Sequence, residues 1–495
     1  MRMSLRSLLG RAERELGNRT AIIEGSRQFT YACVIERARR LASALCSLSP
    51  ATSPASLRVA ILDNNSARYL ETYFACAIAG ITIVPLNIRL ASAELEQILQ
   101  QVDAQILIVG PAFVELSSSL AVSTELVSPE RYESLVASAS LYCRQGDELA
   151  DTAAIYYTSG TTGAPKGACL SEEGLLAGIT DGIFAFALQP TDVWLHAAPM
   201  FHLADASAIW AVTAAGACHV VARFEPSSFL ATIEKFGVTG TSIPPTLINM
   251  VVNSPDAETA DVSSLKRISF GGSPISATLH RRACEVFRCE LYQAYGITEA
   301  AGFVCCGLPG DELDAYLTIG RPVPSIELKI LLDDGTEAAT GQTGEIVIRG
   351  PKVMHGYWKN PDATALSFKD GWYCSGDLGC RNEQGLYSLV GRKKDMIISG
   401  GENVYAVEVE NTLASHPAVL EAAVFGVADP QWGEAVHAVV SIREGTQATC
   451  DELKAWCRNS IAGYKTPKSI VVVTEPLPKS GSGKIAKHLL RSHYK

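Results

Sequence analysis

Tyr157-Thr158-Ser159-Gly160-Thr161-Thr162-Gly163-Ala164-Pro165-Lys166-Gly167 is the stretch on which the reading of this chain turns. It follows an apolar run, Ala153-Ala154-Ile155-Tyr156, that reads as a short buried strand. Hydroxyls at Ser159, Thr161 and Thr162 are interleaved with glycines, and Lys166 stands close behind. Glycines let a backbone come close to a ligand, and exposed N–H groups, hydroxyls and one ammonium together form an oxyanion cradle. A polyphosphate suits such a cradle. The Walker A spacing is absent, because Lys166 lies between Pro165 and Gly167. A solvated Gly/Ser/Thr turn is the plain alternative, and the stretches downstream decide against it.

The chain has 495 residues, room for about three average domains. Nearly half the residues are apolar, so large cores are possible, yet no uninterrupted apolar run is long enough to predict a membrane span. Ser4 to Leu16 reads as an amphipathic helix with Leu5, Leu8, Leu9 and Leu16 on one side, which argues against a signal peptide. A net charge of −10 argues against a nucleic-acid-binding surface. Fourteen scattered cysteines, with no Cys-x-x-Cys pair, predict mostly buried free thiols in a reducing cytoplasm.

Strand and helix patterns alternate from Thr20 to Gln293, with strands at Arg58–Leu62, Thr82–Pro85, Gln105–Val109, Asp192–Ala197, Thr239–Ile243, Arg267–Phe270 and Glu290–Gln293. Apolar strands alternating with helices predict α/β layers around parallel sheets. From Glu327 short strands separated by turn signals predict a small β subdomain. Beyond Lys394 about a hundred residues carry their own β-α pattern, the size of an independent domain. The expected boundary therefore separates 1–393 from 394–495, with a small, mobile α+β C-terminal domain.

Three further stretches carry chemistry. Tyr295-Gly296-Ile297-Thr298-Glu299 sits at the end of a predicted strand, where ligands bind in open α/β sheets. It offers an aromatic face for adenine, a hydroxyl for a phosphate and a carboxylate for Mg²⁺; a helix cap at Thr298 is the bland alternative. Gly376-Asp377 presents a carboxylate that can read a ribose, with Arg392 across a predicted hairpin, or makes an ordinary turn. Ser480-Gly481-Ser482-Gly483-Lys484 forms a Gly/Ser arm ending in a lysine.

These motifs, in this order across nearly the whole chain, resemble the adenylate-forming superfamily of acyl-CoA synthetases, luciferases and peptide-synthetase adenylation domains. Pro199-Met200-Phe201-His202-Leu203-Ala204-Asp205 and Gly400-Gly401-Glu402-Asn403-Val404-Tyr405 are most similar to bacterial medium- or long-chain fatty-acyl-CoA ligases, beside 4-chlorobenzoate and coumarate ligases. The resemblance implies an ATP-dependent acid–CoA ligase that uses Mg²⁺ and coenzyme A and works as a monomer or homodimer. Thr158 to Gly163, Lys166, Gly271, Gly272, Ser273, Tyr295, Gly296, Asp377 and Arg392 would bind ATP and AMP. Thr298, Glu299, His202, Lys394 and Lys484 would serve catalysis, with Glu299 on the metal and Lys394 as hinge. His202, Leu203, Ala204, Gly272, Ala294, Ala301 and Gly302 would line the acyl pocket. Arg89, Ser399, Gly400, Gly401, Trp432 and Tyr464 would meet CoA.

Two positions depart from the pattern. Lys394 stands where many relatives carry Asp, and Ala300-Ala301-Gly302 is smaller than in aryl ligases. Those small residues predict an open pocket floor and a preference for medium or long linear acids. Asp205 is expected to be solvated or a helix cap, or else to face the slot and favour a polar substrate. A carrier-protein pantetheine is the alternative acceptor, an aryl acid the alternative substrate, and a non-catalytic nucleotide sensor the alternative class.

Overall fold

The computed structural model describes residues 3–49, 53–143, 150–158, 165–273, 275–308, 318–479 and 485–494. The chain divides into two compact units. The first comprises Met1–Gly272, Arg282–Glu327 and Ile348–Tyr373 and carries two large sheets. In the nine-stranded sheet the centre is parallel: Cys218–Val221, Val193–His196, Gly240–Ser242, Arg267–Gly271 and Glu290–Ile297 lie side by side. Thr20–Glu24 extends it in parallel, and on the other side Gly302–Cys306 and then Arg321–Pro322 are added in antiparallel. The seven-stranded sheet is built the same way, with Ala154–Thr158, Thr82–Pro85, Arg58–Leu62, Ile106–Val109 and Glu125–Val127 parallel. Strands covered on both faces can be apolar throughout, and all four residues of Ile106–Val109 are buried.

Local sequence explains where helices begin. The Ser4 hydroxyl accepts from Ser7 N–H, starting Leu5–Leu16, of which Leu5, Leu8, Leu9 and Ala12 are buried; Leu16 is not fully covered. The Ser66 hydroxyl accepts from Tyr69 N–H, which starts helix Ala67–Ala79. Helix Glu172–Phe186 gives no clear sequence signal, because Gly174, Gly178 and Gly182 lower its propensity. Those glycines serve packing: side chains at Gly174 and Gly182 would collide with Pro351 and Ala211. Strand Glu290–Ile297 runs four residues past its expected end, and Lys166–Leu170 is an unforeseen strand.

The second unit comprises Ser273–Arg281, Leu328–Val347 and Cys374–Lys495. Its C-terminal sheet orders Glu402–Tyr405, Met396–Ser399, Gly433–Ile442 and Val419–Asp429, with Ser469–Val473 parallel to Gly433–Ile442. Helices Ala406–Ala414 and Cys450–Ser460 contribute Val409, Leu413, Leu453 and Cys457 to its core. The α+β texture expected of this region is what forms. All fourteen cysteines are free, but only Cys76, Cys169, Cys305, Cys306 and Cys457 are buried, fewer than expected. Among the described residues no helix is long and apolar enough to cross a membrane.

Candidate active site

The central stretch folds as a hairpin. Ala154–Thr158 pairs in antiparallel with Lys166–Leu170, Thr158 standing opposite Lys166, and the Thr158 hydroxyl donates to the Lys166 carbonyl at 3.4 Å. Ser159, Gly160, Thr161, Thr162 and Gly163 lie outside the described residues. On the outer side of this hairpin the two-residue strand Gly356–Tyr357 pairs with Lys166–Leu170. That pairing sets the Tyr357 ring 5.3 Å from Lys166 Nζ, while the Tyr357 hydroxyl donates to Glu299 Oε1 at 2.8 Å. Met354 N–H donates to the Glu299 carbonyl at 2.7 Å. Lys166 and Glu299, 133 positions apart, thus meet around one tyrosine. Burial, and then the Glu299 carboxylate, push the Tyr357 phenol above its usual range, so it remains a donor.

Glu299 and Thr298 lie on the 3-10 turn Thr298–Ala300, with Ile297 and not Thr298 at the cap position, so the helix-cap alternative is excluded. Tyr295 and Gly296 are inside the strand, and Ala294 pairs with Gly271 on the next strand. Gly271 ends its strand and Gly272 follows at φ 82°; Ser273 belongs to the second unit.

The acyl-pocket residues meet in part. His202 caps helix Leu203–Ala215; Leu203 is buried and Ala204 is exposed. Ala301 lies in the left-handed region, and Gly302 follows at φ 101° with its missing Cβ only 3.1 Å from Ser207 Cβ. A side chain at Gly302 would therefore press on Ser207. The positive φ of this turn by itself favours glycine at position 302. An apolar cleft is lined by Leu203, Ala206, Ser207 and Trp210 of the same helix with Tyr73 and Ala301.

Asp205 corrects both expectations made for it. It is neither solvated nor facing the slot: it is fully buried and its Oδ2 lies 2.7 Å from His196 Nδ1. Nor does it cap the helix, since His202 stands at that position without a side-chain cap bond.

In the second unit Asp377 and Arg392 are register partners on neighbouring antiparallel strands, joined through Arg392 Nε and Asp377 Oδ1 at 2.5 Å. Asp377 is buried and Arg392 exposed. Lys394 is exposed on the short turn Lys393–Asp395. Gly400 and Gly401, both with positive φ, close the hairpin of Met396–Ser399 and Glu402–Tyr405. Gly400 N–H donates to the Trp432 carbonyl, and Trp432 and Tyr464 keep 39% and 41% of their surfaces exposed. Lys468 Nζ sits 5.1 Å from the Trp432 ring. Ser399 is buried. Arg89, exposed in the loop after Thr82–Pro85, belongs to the first unit, whereas the other residues expected to meet CoA belong to the second. Lys484 lies outside the described residues.

Sequence reasoning missed three groups. Tyr357 follows a glycine in an otherwise unmarked stretch, and no partner could be named for it from sequence. Asn65 clamps the loop before His202, its Nδ2 donating to the His196 and Ala198 carbonyls and its Oδ1 accepting from Met200 N–H. Lys352 is buried, 2.9 Å from Asp181, and donates to the Phe303 carbonyl at 2.5 Å; Asp181 also accepts from Ser325 N–H. Burial pulls the Lys352 ammonium below its usual range and Asp181 opposes that. This ion pair pins the start of the Pro351–Tyr357 segment that delivers Tyr357 to Glu299.

The group that the motif implies on Glu299 is Mg²⁺. Among the described residues no group of three or more acidic, His or Cys side chains is placed to hold a metal ion, and one oxygen of Glu299 is left beyond the Tyr357 bond. A single carboxylate fits Mg²⁺, which is held by one or two carboxylates plus substrate phosphates and waters.

Comparison with known proteins places this geometry. The model of the AMP-binding enzyme family matches residues 9–358, and that of the AMP-binding enzyme C-terminal domain matches 408–484. The chain is 38% identical over 484 residues to a feruloyl-CoA synthase of Amycolatopsis sp, covering 96% of each chain. It is 36% identical to the indoleacetate–CoA ligase of Aromatoleum aromaticum, covering 96% of this chain and 94% of that one. Its structure is similar to that of an o-succinylbenzoate CoA synthetase of Bacillus subtilis in complex with the acyl-adenylate intermediate, with TM-score 0.88, 29% identity and 99% of each chain covered.

Proposed function

The chain belongs to the AMP-binding enzyme family as an acid–CoA ligase, and we propose that the acid it activates carries an aromatic group. The observation that carries this reading is the similarity, over 96% of the chain, to the two relatives from Amycolatopsis and Aromatoleum, which are named for aromatic acids.

The chemistry runs in two halves. The carboxylate oxygen attacks the α-phosphorus of ATP, and the bond to pyrophosphate breaks. The CoA sulfur then attacks the acyl carbon, its proton passes to solvent, and AMP leaves. Negative charge spreads over the reacting phosphate in the first half, so preorganised donors lower the barrier. Lys166, Thr298 and the Thr158–Gly163 loop supply those donors. Glu299, oriented by Tyr357, would hold Mg²⁺, which would supply positive charge to the phosphates. Asp377 and Arg392 bind the nucleoside, Lys484 serves adenylation, and the boundary between 1–393 and 394–495 turns at Lys394 between the halves. Ser399, Gly400, Gly401, Trp432, Tyr464 and Arg89 serve CoA.

One observation favours a second reading. The apolar cleft beside Leu203 and Trp210 offers cover for an aliphatic chain, at roughly 0.8 kcal/mol per buried methylene. Pyrophosphate release with a cinnamic-type acid, an arylacetic acid and octanoate separates the two. Faster turnover of either aromatic acid is expected; octanoate ahead of both overturns the aromatic reading.

A further inference from the structure

Away from Glu299, four buried polar side chains form one hydrogen-bonded line. Asp205 and Thr213 lie eight residues apart on helix Leu203–Ala215 and so share a face. His196 and His219 come from the adjacent parallel strands Val193–His196 and Cys218–Val221. Asp205 Oδ2 is 2.7 Å from His196 Nδ1, His196 Nε2 is 2.9 Å from His219 Nδ1, and His219 Nε2 is 3.1 Å from Thr213 Oγ1. The Thr213 hydroxyl also reaches the Ile209 carbonyl at 2.8 Å. None of the four residues is more than 1% exposed.

Counting protons gives the line a direction. The Ile209 carbonyl can only accept, so the single Thr213 proton goes there. Thr213 must then accept from His219 Nε2–H. A neutral His219 has no second proton, so its Nδ1 accepts from His196 Nε2–H. The His196 Nδ1 is left as an acceptor, and the only remaining donor is a protonated Asp205. Shifting that proton to His196 would create a buried carboxylate whose Oδ1 has no hydrogen-bond partner, which a dry interior penalises. Burial acts the same way at both ends, pushing the Asp205 carboxyl above its usual range and pulling the His219 imidazole well below its own.

We propose that Asp205, His196, His219 and Thr213 form an uncharged, proton-wired brace, with Asp205 as a carboxylic acid, and that Asp205 is a positioning residue for the acid-binding loop. This rests on reading the 197–204 segment as part of the acid site. That loop begins at His196 and ends at the first turn of the Asp205 helix. Asn65 holds its outer side through three hydrogen bonds, and the brace holds both of its ends. Wiring a helix to two strands without net charge fixes His202 and Ala204 in place and leaves no buried ion to stray into the acid slot.

The test has two arms on the full-length protein. Infrared difference spectra of Asp205→Asn against wild type, without substrate at neutral pH, should show loss of one protonated-carboxyl band. Its absence from wild type overturns the wiring. Steady-state pyrophosphate release, with whichever acid a screen ranks first, reads the positioning. Asp205→Asn, whose amide N–H can donate to His196 in place of the acid, should keep the KM for the acid within about twofold. Asp205→Ala should raise it about tenfold with the KM for ATP unchanged. Should Asp205→Ala fail to fold, Thr213→Val cuts the far end of the line and should give a smaller, about threefold, rise. KM values for acid and ATP that rise together overturn the positioning role. If no aromatic acid is turned over, the substrate reading fails while the spectra still report on the brace.

Discussion

The Glu299–Tyr357–Lys166 cluster and the Asp205–His196–His219–Thr213 line are built from similar groups under opposite conditions. The first lies at the rim of strands, with Glu299 and Lys166 incompletely covered. The second is sealed, and every proton in it is committed. Charge that must meet phosphate stays where water and ligand can reach it, because an ion costs least there. Polar groups placed in the core are made neutral, or paired as Lys352 and Asp181 are, and their work is to hold backbone. A carboxylate near a binding loop is therefore no evidence of substrate polarity until its burial is known, as Asp205 shows.

The strongest way to break this contrast is at Lys484. Lys484→Ala should lower acid-dependent pyrophosphate release about 10²–10³-fold, the usual loss for one transition-state donor, and spare thioester formation from supplied acyl-adenylate. Near wild-type release would remove Lys484 from the reaction.

Lys352 probes the buried side. Lys352→Met leaves Asp181 uncompensated and should cost about 3–5 kcal/mol of stability. Lys352→Met with Asp181→Leu should recover most of it, as read by chemical denaturation. A double variant no better than the single would show that the pair does more than pin the Pro351–Tyr357 segment.

A pH series sharpens the brace. His219 is neutral in the fold, with its pKa held well below the usual value by burial. The unfolded chain takes up a proton there below about pH 6.5, so stability present above that pH is lost as pH falls, by up to about 1.4 kcal/mol per unit. His219→Gln should flatten that slope; an unchanged slope would mean that His219 does not contribute to it.

The smallest effect is expected at Tyr357. Tyr357→Phe removes one hydrogen bond to Glu299 and should cost about 1–2 kcal/mol of stability while raising the Mg²⁺ concentration needed for half-maximal rate several-fold. A loss confined to stability would make Tyr357 a packing residue only.

Much of the molecule is legible in the order of its residues. Apolar runs such as Arg58–Leu62 and Ile106–Val109 announce parallel strands because two covered faces demand apolar residues throughout. Ser4 locates a helix start because its hydroxyl caps orphan N–H groups, and the Gly/Ser/Thr stretch announces a phosphate cradle by composition. Those signals are local: each depends on residues within a few positions of one another, and sequence determines them alone. The fold alone decides that Lys166, Glu299 and Tyr357 converge, that Gly302 abuts Ser207, and that Asp205 is sealed against two histidines. Such contacts join positions from nine to nearly two hundred residues apart, and what a carboxylate or a glycine does is set by burial and by its neighbours. Neither is written in the residue itself, so only packing could decide them.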